Sequence, residues 1–241
     1  MKISGSTVLV TGANRGLGAA IVDALLAAGA HRVYAGVRRP EALSDSSNRV
    51  VPIQLDITDP AQVHAAAAQC RDVQVLINNA GVTTGQPLVN ARDPNAAERE
   101  MRVNFFGTLE MCRAFSPVLA AQGGGAIVNV LSILSHVNLP PVGSYSASKA
   151  ASYSLTQALR GELPNTLVIG VLPAFLDTDM AKRVPLPKLA PSAVAAQIVE
   201  ALESEIEDVY PGEARDIVER LRIEPKAVER QFARMLTATR G

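Results

Sequence analysis

Short β-branched runs separated by helix-length stretches constrain the fold of this chain more than any other feature. The runs are Thr7 to Val10, Arg32 to Gly36, Val50 to Gln54, Gln74 to Asn78, Ala126 to Leu131, Leu167 to Leu172 and Asp208 to Tyr210. Between them lie helical candidates at Arg15 to Ala28, Ala61 to Cys70, Asn95 to Ala121, Gly143 to Glu162 and Pro191 to Ser204. Continuous apolar runs are the mark of strands covered on both faces, and parallel strands joined through helices cross over in the right-handed sense. The pattern predicts an α/β fold: a doubly wound, seven-stranded parallel sheet with helices on both faces and one crevice at the carboxyl ends of its strands. No composition shift, linker or internal repeat divides the chain, so a single domain over residues 1–241 is expected. From Glu213 to Arg240, Ile217, Leu221, Val228, Phe232 and Leu236 recur among charges. That spacing predicts a helical extension over 213–241, which either covers a sheet edge or meets a second subunit.

Composition removes several function classes. Lys and Arg number 23 against 23 Asp and Glu, a formal net charge of zero, so no global basic field is present to recruit nucleic acid or an anionic membrane. Ala114 through Ser148 carries no charged side chain, yet Gly123, Gly124, Gly125, Asn129, Asn138, Pro140 and Pro141 interrupt it. No run of about 18 apolar residues survives to span a bilayer. Val8 to Val10 is far shorter than the roughly 7 residues a secretory signal needs. A cytoplasmic location is therefore expected. Cys70 and Cys112 lack CxxC spacing and read as inert thiols. His31, His64 and His136 are scattered, and no metal is expected.

The first strand runs directly into Gly12-Ala13-Asn14-Arg15-Gly16-Leu17-Gly18 and then a helix. Glycines there let the backbone approach a pyrophosphate, and a helix N-terminus offers free N–H groups and partial positive charge. The GxxxGxG spacing differs from GxGxxG, and the lysine of a GxxxxGK phosphate loop is missing, which disfavours ATP. The second strand ends at Val37-Arg38-Arg39. An acid at Val37 would accept bonds from the ribose 2′-hydroxyl of NAD; in its absence Arg15 and Arg38 are placed to clamp a 2′-phosphate, so NADP(H) is expected over NAD(H).

Ser132 precedes Tyr145-Ser146-Ala147-Ser148-Lys149. Tyr145 and Lys149, four apart on a helix, share a face. A nearby ammonium stabilises phenolate and brings a group of ordinary pKa near 10 towards useful acid–base chemistry. Ser132, at the end of the fifth strand, can present a hydroxyl to a developing oxyanion. Together they describe carbonyl reduction.

In these residues the chain resembles the short-chain dehydrogenase/reductase family over about residues 6 to 210. Thr11 to Gly18 is similar to its TGxxxGxG turn, Asn78-Asn79-Ala80-Gly81 to its NNAG element, and Ser132, Tyr145 and Lys149 to its catalytic core. The resemblance implies a Rossmann-type sheet of order 3-2-1-4-5-6-7 and an NADP-dependent enzyme acting on CH–OH or C=O groups. It implies that Asn104 completes a catalytic tetrad by holding a proton-relay water. Asp56 and Ile57 would flank the adenine, although for Asp56 a turn or capping role competes. Asn79 and Ala80 would pack near the adenosine ribose, with Gly81 beside them, and Lys149 would also bond the nicotinamide ribose. Pro173 and Thr178 correspond to the PGxxxT element, except that Ala174 stands where the glycine is usual. Assembly as a homotetramer or homodimer through the fourth and fifth helices is also implied.

The substrate pocket is expected to border on Thr83, on Leu134, His136, Val137 and Leu139, and on Leu176 to Arg183. These mostly apolar walls favour a small hydrophobic carbonyl or alcohol substrate, and Pro185 and Pro187 suggest a small lid over an open site. A 3-oxoacyl thioester delivered by an acyl-carrier protein is an alternative. An NADP-binding redox sensor without turnover is another, against which the retained Tyr–Lys pair argues. A sugar-nucleotide epimerase would need a larger carboxyl-terminal domain than the residues after Tyr210 supply.

Overall fold

The computed structural model describes residues 1–43, 47–182 and 185–235. Strand β1 (Thr7–Thr11) is buried along its whole length, and its side chains alternate between two helical layers, as a pleated strand requires. Val8 and Val10 face one layer, built from Leu17, Ile21 and Leu25 of α1 (Gly16–Ala27) and Val194, Ile198 and Leu202 of α6 (Pro191–Ser204). Leu9 faces the other, with Val63 of α2 (Pro60–Gln69) and Met111, Phe115 and Leu119 of α4 (Thr108–Ala121). One strand thus anchors both halves of the core.

Around it stand β2 (Arg32–Val37), β3 (Val50–Gln54), β4 (Val75–Asn78), β5 (Ala126–Val130), β6 (Leu167–Val171) and the two-residue β7 (Asp208–Val209). Every pairing is parallel, and the order is β3-β2-β1-β4-β5-β6-β7. The expected doubly wound sheet is present. Strand order reverses between β1 and β4, which opens the crevice at their carboxyl ends. Strand limits differ from the sequence expectation by one residue: β1 and β2 each extend one further, and β4, β5, β6 and β7 each stop one short or start one later.

The stretch expected as one helix from Asn95 is α3 (Ala96–Met101), a π-helical turn over Arg102–Gly107, and α4 in continuous succession. Such a bulge rotates the face of a helix and is common at functional sites. Gly107 closes it because a Cβ there would lie 2.9 Å from the Ile57 side chain. Helix α5 (Gly143–Glu162) follows, tied to the sheet by an interior chain in which Asn78 Nδ2 donates to Asn129 Oδ1 and Asn129 Nδ2 to Thr156 Oγ1, each at 2.9 Å.

The carboxyl-terminal extension forms α7 (Ala214–Ile223) and α8 (Pro225–Arg234). Val218, Val228 and Phe232 pack on Ile133, Leu134, Val137 and Leu139, the turn after β5. The helices thus cover that turn, a placement different from the sheet edge or second subunit expected from the sequence. Leu236 and the residues after it lie outside the described part. Among the described residues, no helix is long and apolar enough to cross a membrane. The uncharged segment from Ala114 spans the end of α4, β5, the turn bearing Ser132 and the start of α5.

Candidate active site

A cavity of about 1530 Å³ opens at the carboxyl ends of β1, β4 and β5. Its inner wall is built where β1 meets α1. Gly12 adopts φ +66°, a left-handed conformation that only glycine takes cheaply. A Cβ at Gly18 would lie 2.1 Å from the Gly12 carbonyl oxygen, so the first turn of α1 can press against the loop only as glycine. Asn79 Nδ2 donates to the Thr11 and Gly12 carbonyls at 2.9 and 3.2 Å, while Thr11 Oγ1 accepts from the Asn79 and Ala80 amides. The NNAG element therefore clamps the glycine-rich turn. Arg15 caps α1 without any side-chain bond to the helix, leaving its first N–H groups for an anion. These features fit a dinucleotide pyrophosphate.

Gly12, Asn14, Arg15, Gly16, Leu17, Gly18, Arg38, Asp56, Ile57, Asn79, Ala80, Gly81, Pro173 and Thr178 all line this one cavity, as do Ser132, Tyr145 and Lys149. Val37, Arg38 and Arg39 line it where β2 ends, which adds Arg39 to the two expected cations. Arg15 Nη1 donates to Asp179 Oδ2 at 2.7 Å across the cleft, so one arm of the expected clamp rests on a carboxylate. Asp56 Oδ1 accepts from the Thr58 amide and hydroxyl at 2.9 and 2.7 Å, and so performs the turn role while standing on the cavity wall. Ala174 is accommodated: among the described residues only Glu205 is a non-glycine with positive φ.

On the substrate side Lys149 is buried at 5% exposure, and its Nζ donates to the Val130 carbonyl at 2.8 Å and lies 5.8 Å from the centre of the Tyr145 ring. Burial depresses the ammonium to about 8. The Tyr145 phenol is pushed up to about 12, chiefly by burial; the Ser132 hydroxyl pulls it down and the charge of Glu100 raises it further. Burial therefore acts against the lowering of the phenol expected from Lys149. Desolvation of the phenolate outweighs a cation that is itself desolvated and spends a hydrogen bond on the backbone. Ser132 Oγ accepts from the Leu134 amide at 3.1 Å, which fixes the hydroxyl at the start of the turn.

Of the expected catalytic and cofactor-binding residues, Asn104 alone does not line the cavity. It stands behind Gly81, in the π-helical turn. Its Oδ1 accepts from the Val82 amide at 2.8 Å, and its Nδ2 donates to the Val82 carbonyl and to Ser148 Oγ at 2.9 and 2.8 Å. The backbone carbonyl of Asn104 accepts from the hydroxyls of Thr108 and Ser152. In this geometry Asn104 joins the loop after β4 to α5.

The expected substrate wall is partly redrawn. Thr83, Leu134 and Leu139 line the cavity, but His136 and Val137 do not. His136 Nε2 is 3.1 Å from the Tyr210 hydroxyl, with its ring edge-on to Tyr153, and Val137 is buried against the carboxyl-terminal helices. Leu176 through Ala181 line it; Lys182 does not, and Arg183 lies outside the described residues. Besides Pro185 to Pro187, the cavity gains a wall from Asp216, Ile217, Arg220, Phe232 and Met235 of the extension. The site is thus less open than the short connection alone suggested. The amphipathic spacing of Ile217 and Phe232 was the sequence signal for this wall, but it carried no address. Cys70 and Cys112 are buried, and burial pushes both thiols up to about 12, consistent with inert side chains.

Residues 6–188 match the model of the short chain dehydrogenase family. A short chain dehydrogenase from Burkholderia cenocepacia, solved in complex with NADP, is 48% identical, with a TM-score of 0.93 over 96% of this chain and 99% of that one. A short chain dehydrogenase/reductase from Burkholderia phymatum, solved with NAD, is 25% identical, with a TM-score of 0.84 over 96% of each chain. The ketoacyl reductase HetN of Nostoc is 32% identical over 230 residues, 86% of this chain and 78% of its own. With the glycine-rich turn, the NNAG clamp and the Ser132, Tyr145 and Lys149 wall meeting in one cavity, the chain belongs to the short-chain dehydrogenase family of oxidoreductases.

Proposed function

We propose that the protein is an NADPH-dependent oxidoreductase that reduces a small hydrophobic ketone or aldehyde to its alcohol, with Tyr145 as general acid and base. The observation that carries this reading is the shared cavity: the phenol, the Ser132 hydroxyl and the Lys149 ammonium stand on the wall that continues into the glycine-rich turn. When bound, reduced NADP supplies the hydride for a carbonyl carbon. Ser132 holds the carbonyl oxygen, and Tyr145 donates a proton to the oxygen as it gains charge. Lys149 carries the positive charge beside Tyr145 and returns its proton, and Asn104, one residue layer behind Gly81, stands at the inner end of that relay. Arg15, Arg38 and Arg39 hold the 2′-phosphate, Arg15 exchanging Asp179 for it. Because cells keep NADP largely reduced, the reaction runs towards the alcohol, in the cytosol.

Leu134, Leu139, Val142, Phe175, Ile217 and Phe232 supply apolar walls for the substrate. The likeness to a ketoacyl reductase supports a second substrate class, 3-oxoacyl thioesters. Following NADPH absorbance against ketones, aldehydes, quinones and 3-oxoacyl thioesters separates the two. Turnover of at least one carbonyl class is expected; cofactor binding with complete inactivity would instead favour an NADP sensor.

A homotetramer or homodimer through α4 and α5 is also proposed. Phe106, at the junction of the π-helical turn with α4, is 57% exposed, an apolar side chain suited to a subunit contact. Light scattering at micromolar concentration should give at least twice the 25.4 kDa chain mass, and Phe106→Glu should shift it towards that mass.

A further inference from the structure

Glu100 on α3 is completely buried, at 0% exposure, and lies outside the cavity lining. Its Oε1 accepts from the Thr84 amide at 2.5 Å and from the Thr84 hydroxyl at 2.8 Å, while its Oε2 is buried without a hydrogen-bond partner among the described residues. Leucine or methionine would fill the same space without an unpartnered carboxyl oxygen but would give up both Thr84 bonds, so the carboxyl group is a costly choice unless those bonds or its charge matter.

Its place in the fold gives it work to do. Glu100 precedes Asn104 by one helical turn, on the same face. Asn104 holds Val82 and Glu100 holds Thr84, so two adjacent turns grip alternate residues of the loop whose Gly81, Val82 and Thr83 line the cavity. Helix α3 packs on α5, and Ser144 Oγ of α5 donates to the Gln86 carbonyl of the same loop. Glu100 is therefore buried behind the Gly81–Thr84 loop, on a helix packed against the one that carries Tyr145, where little solvent screens its charge.

We infer that Glu100 is a positioning residue of the active site, one that fixes the Gly81–Thr84 loop and places a buried carboxylate behind the proton donor Tyr145. The inference rests on the reading of Tyr145 as general acid. Its consequence is an extended pH range over which the phenol keeps its proton, the direction in which the charge of Glu100 already acts. Among the described residues, the charged groups that bear on Tyr145 from the elements around it are Lys149 on α5 and Glu100 on α3. Asp216 and Arg220 of α7 are exposed at the cavity mouth, where water screens them.

Glu100→Gln keeps an acceptor for Thr84 and removes the charge. The test titrates the tyrosines by tyrosinate absorbance, which is clean in a chain with 4 Tyr and no Trp, Tyr145 being assigned with Tyr145→Phe. Glu100→Gln should titrate Tyr145 about one pH unit lower, and the second, high-pH fall of NADPH-dependent reduction, which follows Tyr145 beyond the earlier fall set by Lys149, should move with it. Thr84→Val, which loosens the loop but leaves the charge, should lower kcat/KM without moving either. A folded Glu100→Gln protein with an unmoved Tyr145 titration overturns the inference, as does an equal shift in Thr84→Val. If Glu100→Gln does not fold, Glu100→Met, which removes the charge together with the Thr84 acceptor, is compared with Thr84→Val, and an equal Tyr145 titration in the two overturns the inference. A wild-type protein that reduces no carbonyl defeats the reading of Tyr145 as acid, while the spectroscopic titration still decides whether Glu100 acts on it.

Discussion

Tyr145→Phe should lower kcat for carbonyl reduction by roughly 10²–10⁴-fold, the worth of a positioned proton donor, while NADPH affinity changes by less than about twofold. The phenol hydroxyl is the only atom removed, and the aromatic ring that shapes the wall beside Lys149 is kept. Stopped-flow or steady-state NADPH oxidation, with cofactor binding followed by fluorescence, measures both. A variant that binds NADPH and turns over at near wild-type rate would overturn the assignment. In the wild-type protein the phenol, pushed up to about 12, is protonated throughout the neutral range. The Lys149 charge, depressed to about 8, is present below that pH and is lost as pH rises through it. Reduction should therefore hold steady at neutral pH and weaken as Lys149 titrates, with Tyr145 itself adding a second fall only at far higher pH.

Val37→Asp should move cofactor preference towards NADH by roughly 10²-fold, about 3 kcal/mol in relative transition-state stabilisation. Val37 ends β2 on the cavity wall between Gly36 and the two cations Arg38 and Arg39. A carboxylate there accepts from a ribose 2′-hydroxyl and repels a 2′-phosphate, and it draws the flanking guanidinium groups to itself. Val37 is only 3% exposed, so the substitution should also lower thermal stability unless the cofactor is bound. Comparing kcat/KM for the two cofactors in both proteins is the decisive measurement. Equal efficiency with NADH and NADPH in the wild-type protein would remove the arginine clamp from consideration.

Much of this was legible in the sequence because it is written in local patterns. Seven apolar runs of strand length lead to the observed sheet because strands covered on both faces cannot alternate, and right-handed crossovers leave few ways to connect them. The turn from Gly12 to Gly18 was readable because close approach of backbone to backbone needs glycine at fixed spacing, and the 2.1 Å that a Cβ at Gly18 would leave shows the reason. Tyr145 and Lys149 were readable because helical periodicity places residues four apart on one face.

What the sequence could not carry was the effect of elements distant along the chain. His136 belongs by position to the turn after Ser132, yet Tyr210 and Tyr153 hold it away from the cavity. Helices α7 and α8 were recognisable as amphipathic, but only packing on the turn after β5 makes Ile217, Phe232 and Met235 part of a substrate wall. Arg15 lines the cavity, but its partner Asp179 stands 164 residues away and no local pattern pointed to it.

The uncharged segment ending at Lys149 marked a site with one evident cation, and residue order and spacing alone determined that Ser132, Tyr145 and Lys149 belong together. Only the tertiary structure decided the field they experience. Folding buries Glu100 and the Lys149 ammonium and half-buries the phenol on the cavity wall. Motif spacing reports which groups meet, whereas proton affinity depends on solvent exclusion and on charges arriving from other elements, neither of which a linear pattern records.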